Sequence, residues 1–144
     1  MESVEDYIAY HISHVWYESG LIFNTESIRR TYDGDDQYKK GIEVIAEKDR
    51  LSLDSSLPSR DKCLFVCEYN DVRYWYNYMQ KRRRCLLYIY KIKLRGNLLW
   101  TYAEYLRTTQ YWKPANPIEL VEHEGLFIGY YKIISECSIN DFPQ

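Results

Sequence analysis

The run Cys85–Lys93, CLLYIYKIK, places Leu, Ile and Tyr around alternating lysines. Branched and aromatic side chains in that density predict a strand, the clearest in the chain. The Gly96-Asn97 pair after it predicts a turn leading to another short strand. Residues 6–17 also alternate: Tyr7, Ala9, His11 and Ser13 share one face, while Ile8, Tyr10, Ile12 and His14 share the other. Ser19-Gly20 predicts a turn, Asp33–Asp36 a loop, and Cys63–Cys67 a short buried strand. Near the end of the chain, 118–122 and 126–134 read as a hairpin across His123-Glu124-Gly125.

Two helices interrupt these strands. Gln37–Lys48 directs Ile42, Ile45 and Ala46 inward, and Ser52–Arg60 connects it onward. Asn70 or Asp71 caps a second helix, in which Val72, Trp75, Tyr76 and Met79 follow the i, i+3, i+4, i+7 spacing and Lys81–Arg84 ends the run. Tyr111–Pro117 reads as an aromatic and proline loop. This mixed order, with strands dominating the second half, predicts an α+β protein rather than a doubly wound parallel sheet.

A chain of 144 residues has room for one domain, 1–144. Its 46% hydrophobic and 28% charged residues exclude wholesale disorder. The apolar runs fall far short of a membrane span and no charged-then-apolar leader opens the sequence, so the expectation is a soluble, cytoplasmic protein with no membrane partner. None of the four cysteines forms a C-x-x-C pair; Cys63, Cys67 and Cys85 sit in apolar runs and, with Cys137, read as reduced, mostly buried thiols. With six glycines, no phosphate-cradling loop, no Gly-x-Ser-x-Gly elbow and no helically spaced histidine pair, the chain lacks the parts of a kinase, a serine hydrolase or a metalloprotease.

The charge is unevenly spread. No acidic residue lies between Asp71 and Glu104, where Arg73, Lys81, Arg82, Arg83, Arg84, Lys91, Lys93 and Arg95 carry +8; the rest of the chain carries −10 against a net −2. Tyr74, Trp75, Tyr78, Tyr88, Tyr90 and Trp100 interleave with these cations. Cations that follow phosphates and rings that stack bases suit a single-stranded nucleic acid. Arg73, Lys81–Arg84 and Trp112 are the candidate contacts, and a solvated loop is the plain alternative for the run of four.

Three further residues stand at strand starts or loop exits. His11 lies beside the small side chains Ala9 and Ser13, which leaves space for a ligand. Arg60 follows Pro58-Ser59 at the mouth of a strand, where a guanidinium can grip a phosphate with two hydrogen bonds. Glu119 lies in the apolar context Pro117-Ile118-Glu119-Leu120-Val121, where a carboxylate must be paired or used. The structural alternatives are a core histidine, a salt-bridged arginine and a carboxylate facing water on an edge strand.

Taken in order, these segments resemble the ADP-ribosyltransferase superfamily in its small bacterial, toxin-type form. Tyr10-His11 resembles the first-strand motif of that family. Leu64-Phe65-Val66-Cys67-Glu68, with the helix reaching Tyr76, resembles the stretch of poly(ADP-ribose) polymerases that carries the nicotinamide-stacking tyrosine. Ile118–Val121 resembles the strand bearing the catalytic glutamate of toxins that modify DNA bases. The likeness spans roughly 7–134, with 135–144 as a C-terminal tail. Ile12 stands where many relatives have glycine, and Tyr74 and Tyr78 compete with Tyr76 for the stacking role.

The resemblance implies split antiparallel β-sheets with a few flanking helices. It implies NAD as co-substrate and no metal, with Glu119, His11 and Tyr76 as catalytic residues and Ile12, Ser59 and Arg60 joining His11 and Tyr76 in holding NAD. It also implies mono-ADP-ribosyl transfer in a toxin–antitoxin or anti-phage setting, with an inhibitory antitoxin protein as partner. Relatives modify proteins, DNA, RNA and small molecules; the basic aromatic stretch favours nucleic acid here, RNA ahead of DNA. A protein-modifying transferase and a nucleic-acid-binding module without chemistry are alternatives. A third is a metal-independent ribonuclease using His11 or His14, although the alternation places those two on opposite faces.

Overall fold

A computed structural model describes residues 1–28, 37–82, 85–106, 108–113 and 123–144, with side chains from Lys40 onward in the first helix. Its described elements are β1 (Glu2–Ser13), β2 (Ile22–Asn24), α1 (Gln37–Leu53), β3 (Leu64–Val66), α2 (Val72–Arg82), β4 (Tyr88–Tyr102) and β5 (His123–Cys137), joined by short 3-10 turns. The fold is α+β: one open antiparallel sheet of five strands, with two helices among the described residues.

The β4–β5 pair is its spine. The two strands run antiparallel from Ile89↔Cys137 to Tyr102↔His123. β1 covers the far side of β4, while β2 and β3 sit one after the other along the far side of β5. The sheet curls enough for the end of β3 to return to β1. There Tyr10 N–H donates to the Cys67 carbonyl at 3.0 Å and Cys67 N–H donates to that of Tyr10 at 2.9 Å. Inside the curl lie Ala9, Leu64, Val66, Tyr90, Ile92, Leu94, Leu98, Trp100, Phe127, Tyr131 and Ile133. Outside it, α2 and the chain end cover one end of the sheet through Ile12, Val72, Ile89 and Phe142. At the other end α1 and the turn Thr109–Trp112 cover Leu99 and Leu126.

Several sequence expectations change. Gly96-Asn97 is no turn: β4 runs straight through it, and Gly96 faces Gly129 across the ladder. A Cβ on Gly96 would stand 2.2 Å from the Ile128 carbonyl oxygen, and one on Gly129 2.4 Å from that of Arg95. These glycines therefore bring two backbones together within a strand. His123-Glu124-Gly125 is likewise strand, the start of β5, because β4 extends far enough to pair with it; 118–122 lie outside the described residues. β1 begins at Glu2 and ends at Ser13 instead of spanning 6–17, since residues 2–4 find partners at Gly96–Leu98.

α1 runs on to Leu53 and rotates its faces: Glu43, Ala46 and Arg50 are buried, while Ile45 is exposed. Positions 43, 46 and 50 keep helical spacing, and polar partners beneath the helix select them over Ile42 and Ile45. Within 135–144, the C-terminal tail, β5 continues to Cys137 and Phe142 packs in the core. None of the four cysteines is joined in a disulfide; Cys63 and Cys67 are buried, whereas Cys85 is exposed. Among the described residues the strands form one open five-stranded sheet. No helix among the described residues is long and apolar enough to cross a membrane.

Gly129→Ala is expected to destabilise the protein by roughly 2–4 kcal/mol, since it combines a left-handed φ with a backbone clash. Urea unfolding checks this, and the exposed Gly41→Ala in α1, with open space around its Cβ, is the control.

Candidate functional site

The curl of the sheet brings β1, β3 and the N-terminus of α2 to one junction. His11 projects from β1, and its Nδ1 lies 2.7 Å from the backbone oxygen of Phe65 on β3. A carbonyl only accepts, so Nδ1 carries the proton; in the neutral ring Nε2 then holds the lone pair. Four residues earlier on the same face, Tyr7 donates its hydroxyl to the Glu68 carboxylate. Burial and that carboxylate push the Tyr7 hydroxyl well above the usual phenol range, so it stays a donor.

The same junction receives the start of β5. His123 is fully buried and Nδ1 lies 3.6 Å from Asp71 Oδ2, while neither ring nitrogen has a hydrogen-bond partner among the described residues. Tyr102 packs on the imidazole at 5.5 Å between centroids, and Trp75 Nε1 donates to the His123 carbonyl at 2.8 Å. Burial pushes the Asp71 carboxyl up, with His123 opposing the shift. The sequence reading missed His123, Glu68 and Asp71. Carrying the β5 alternation back from Phe127 through Gly125 would have placed His123 on the inner face.

Arg60 lies elsewhere, beneath α1. Its guanidinium donates to both oxygens of Glu43, at 2.7 and 3.0 Å, and also to Glu124 and Tyr111. It stacks on Phe65 at 4.7 Å. Burial opposes its charge, but Glu124, Tyr111 and Glu43 more than offset this and hold it protonated. Burial and Glu124 likewise raise the Tyr111 hydroxyl against the pull of Arg60. The guanidinium read as a pyrophosphate grip is thus committed to two carboxylates inside the fold. Ser59 donates to Glu47 at 3.2 Å beside a depression of about 780 Å³. Its lining holds Glu26, Glu47 and Asp61 against Arg50 and Lys62, a poor match for a pyrophosphate.

The remaining candidates separate. Ile12 is buried in the cluster under α2, where Tyr76 also packs, its hydroxyl accepting from Gln80 at 3.1 Å. Arg73 donates to the carbonyls of Ile139, Phe142 and Pro143, tying α2 to the chain end, so it is not a surface phosphate contact. Trp112 is buried and donates to the Ala46 carbonyl at 3.1 Å, which removes it as a platform for bases. Lys81 and Arg82 are exposed, with Arg82 over the Tyr78 ring at 4.7 Å. Glu119, Arg83 and Arg84 lie outside the described residues.

This architecture is that of an α+β protein with a polar junction at the seam of a curled sheet. The family model described as a protein of unknown function (DUF2441) matches residues 1–141, and the chain belongs to that family. No curated protein matches it.

Two outcomes follow. Arg60→Met leaves Glu43 and Glu124 buried without their cation and is expected to cost roughly 3–5 kcal/mol in urea unfolding. Arg60→Lys rescues little of this, since one ammonium cannot reproduce the fork. The raised Asp71 carboxyl favours the fold at low pH, and that contribution is lost as pH rises through its folded value. Asp71→Asn is therefore expected to gain stability relative to wild type between about pH 3 and pH 7, measured by urea midpoints across that window.

Proposed function

We propose that the protein is an NAD-dependent mono-ADP-ribosyltransferase acting on nucleic acid. The observation that supports this reading is the contact between His11 and the Phe65 carbonyl. It joins, across 54 positions, the two segments whose resemblance to ADP-ribosyltransferases suggested the activity. The Tyr10–Cys67 bridge reinforces the same juxtaposition. The residues fit the co-substrate in one specific respect: the Phe65 carbonyl, by accepting from Nδ1–H, fixes the tautomer and ring plane of the His11 imidazole that would meet a ribose hydroxyl.

In this reading the bond between the ribose anomeric carbon and nicotinamide breaks, and nicotinamide leaves with the bonding electrons. Positive charge grows on the ribose as in glycoside hydrolysis, and the Glu119 carboxylate stabilises it where it develops. An acceptor oxygen or nitrogen then bonds to the anomeric carbon and passes its proton to Glu119. Tyr76 supplies a flat face for the nicotinamide, and an inhibitory partner protein keeps such an activity silent in the cell. A binding module without chemistry is the second reading, favoured by the exposed cations of β4 and β5.

The test is incubation with NAD labelled in its adenylate half and separate pools of RNA, single-stranded DNA and protein. Label is expected in a nucleic-acid pool and is expected to fall about a hundredfold or more in Glu119→Gln with NAD binding retained. Full activity in that variant, or NAD left intact by wild type, would overturn the transferase reading.

A further inference from the structure

The outer face of the sheet is packed at both ends and bare between them. α2 and the chain end cover it around Tyr10, Ile12, Ile89 and Cys137, while α1 and the Thr109–Trp112 turn cover it around Leu99, Leu126 and Ile128. The middle rows read, strand by strand, Tyr10–Lys91–Ser135, then Ile8–Lys93–Lys132–Ile22, then Arg95–Tyr130–Asn24. Lys132 and Arg95 are exposed there, and Tyr130 is 55% and Ile22 64% exposed.

Lys93 and Lys132 stand directly opposite one another on adjacent strands. Like charges in that position destabilise a sheet, and no ion pair among the described residues relieves them. Side chains two apart on a strand are about 6.6 Å apart, and neighbouring strands about 4.8 Å, so the four cations form one dense patch. A patch of this kind costs folding free energy unless an external polyanion neutralises it. Tyr130 adds an exposed ring beside Arg95, and Ile22 an apolar floor.

We propose that this middle strip, Lys91, Lys93, Arg95, Tyr130 and Lys132, is a docking surface for an unpaired polynucleotide strand. Phosphates lie along the cations and a base stacks on Tyr130; the surface reads charge and base planes, so ribose and deoxyribose strands bind alike. An acidic polypeptide or an anionic membrane offers the charge without the stacking base, and a duplex hides its base planes. The surface gives the transferase its acceptor and rests on that reading for its part in catalysis, but binding itself needs no NAD.

The test is titration of the full chain, without NAD, against labelled oligouridylate, its deoxy counterpart, a duplex, polyglutamate and phosphatidylserine vesicles. Both single strands are expected to bind, in preference to the other three. Lys132→Glu places opposite charges across the ladder, so its thermal midpoint is expected to hold or rise while the salt slope of strand binding flattens by about 0.7 for each phosphate no longer neutralised. Tyr130→Ala is expected to weaken binding about tenfold, with Tyr130→Phe close to wild type. No strand binding, equal binding to polyglutamate or vesicles, or a folded Lys132→Glu with an unchanged slope would each overturn the surface. Strand binding without label transfer would leave the surface standing and remove the transferase.

Discussion

Everything in this fold hangs on the pairing of β4 with β5. Strands of 15 residues extend for about 50 Å, more than one small core can cover on a flat sheet. The ladder must therefore twist and curl, and the Gly96–Gly129 contact lets the two backbones come together near its middle. Once curled, the ladder encloses one core and offers its convex side to α1 and α2 at opposite ends. The short strands β2 and β3 complete the outer edge of β5 without lengthening it.

The charges obey the same geometry. The described cations of one acid-free stretch of sequence end in three places: a staple between α2 and the chain end, the last turn of α2, and the bare centre of the sheet. Alternation along β4 does the sorting, sending Tyr90, Ile92 and Leu94 inward and Lys91, Lys93 and Arg95 outward. Arg60, with its guanidinium largely enclosed, comes from another part of the chain and is matched by two carboxylates, as a low-dielectric site requires.

Much of this was legible in the sequence. The α+β order, the alternation in β1 and the apolar stripe of α2 were all readable, because each is a local pattern with a definite period. Glycine misled twice. Gly96-Asn97 and Glu124-Gly125 have the composition of turns, and only the length of the partner strand reveals them as ladder. The inward face of α1 was misjudged because hydrophobicity pointed to Ile42 and Ile45, whereas Arg60, 17 positions beyond Glu43, chose the polar side. At the candidate site the sequence singled out His11, but its partner is a backbone carbonyl, which no side-chain pattern announces. The buried contacts of Arg60, Arg73 and Trp112 were hidden for the same reason: each depends on a distant segment.

The seam between β1 and β3 is sewn by one reciprocal pair of backbone hydrogen bonds, those of Tyr10 and Cys67. The long ladder, by contrast, runs on both sides of its glycine pair, broken by a single shift of register between Lys91 and Ile92. Such unequal stitching makes the seam the least expensive place for the sheet to part, so its amides should exchange with solvent well before those of β4 and β5. The imidazole of His11 depends on the same seam for its orientation. Local breathing of two hydrogen bonds would thus loosen a side chain that the rest of the fold holds still.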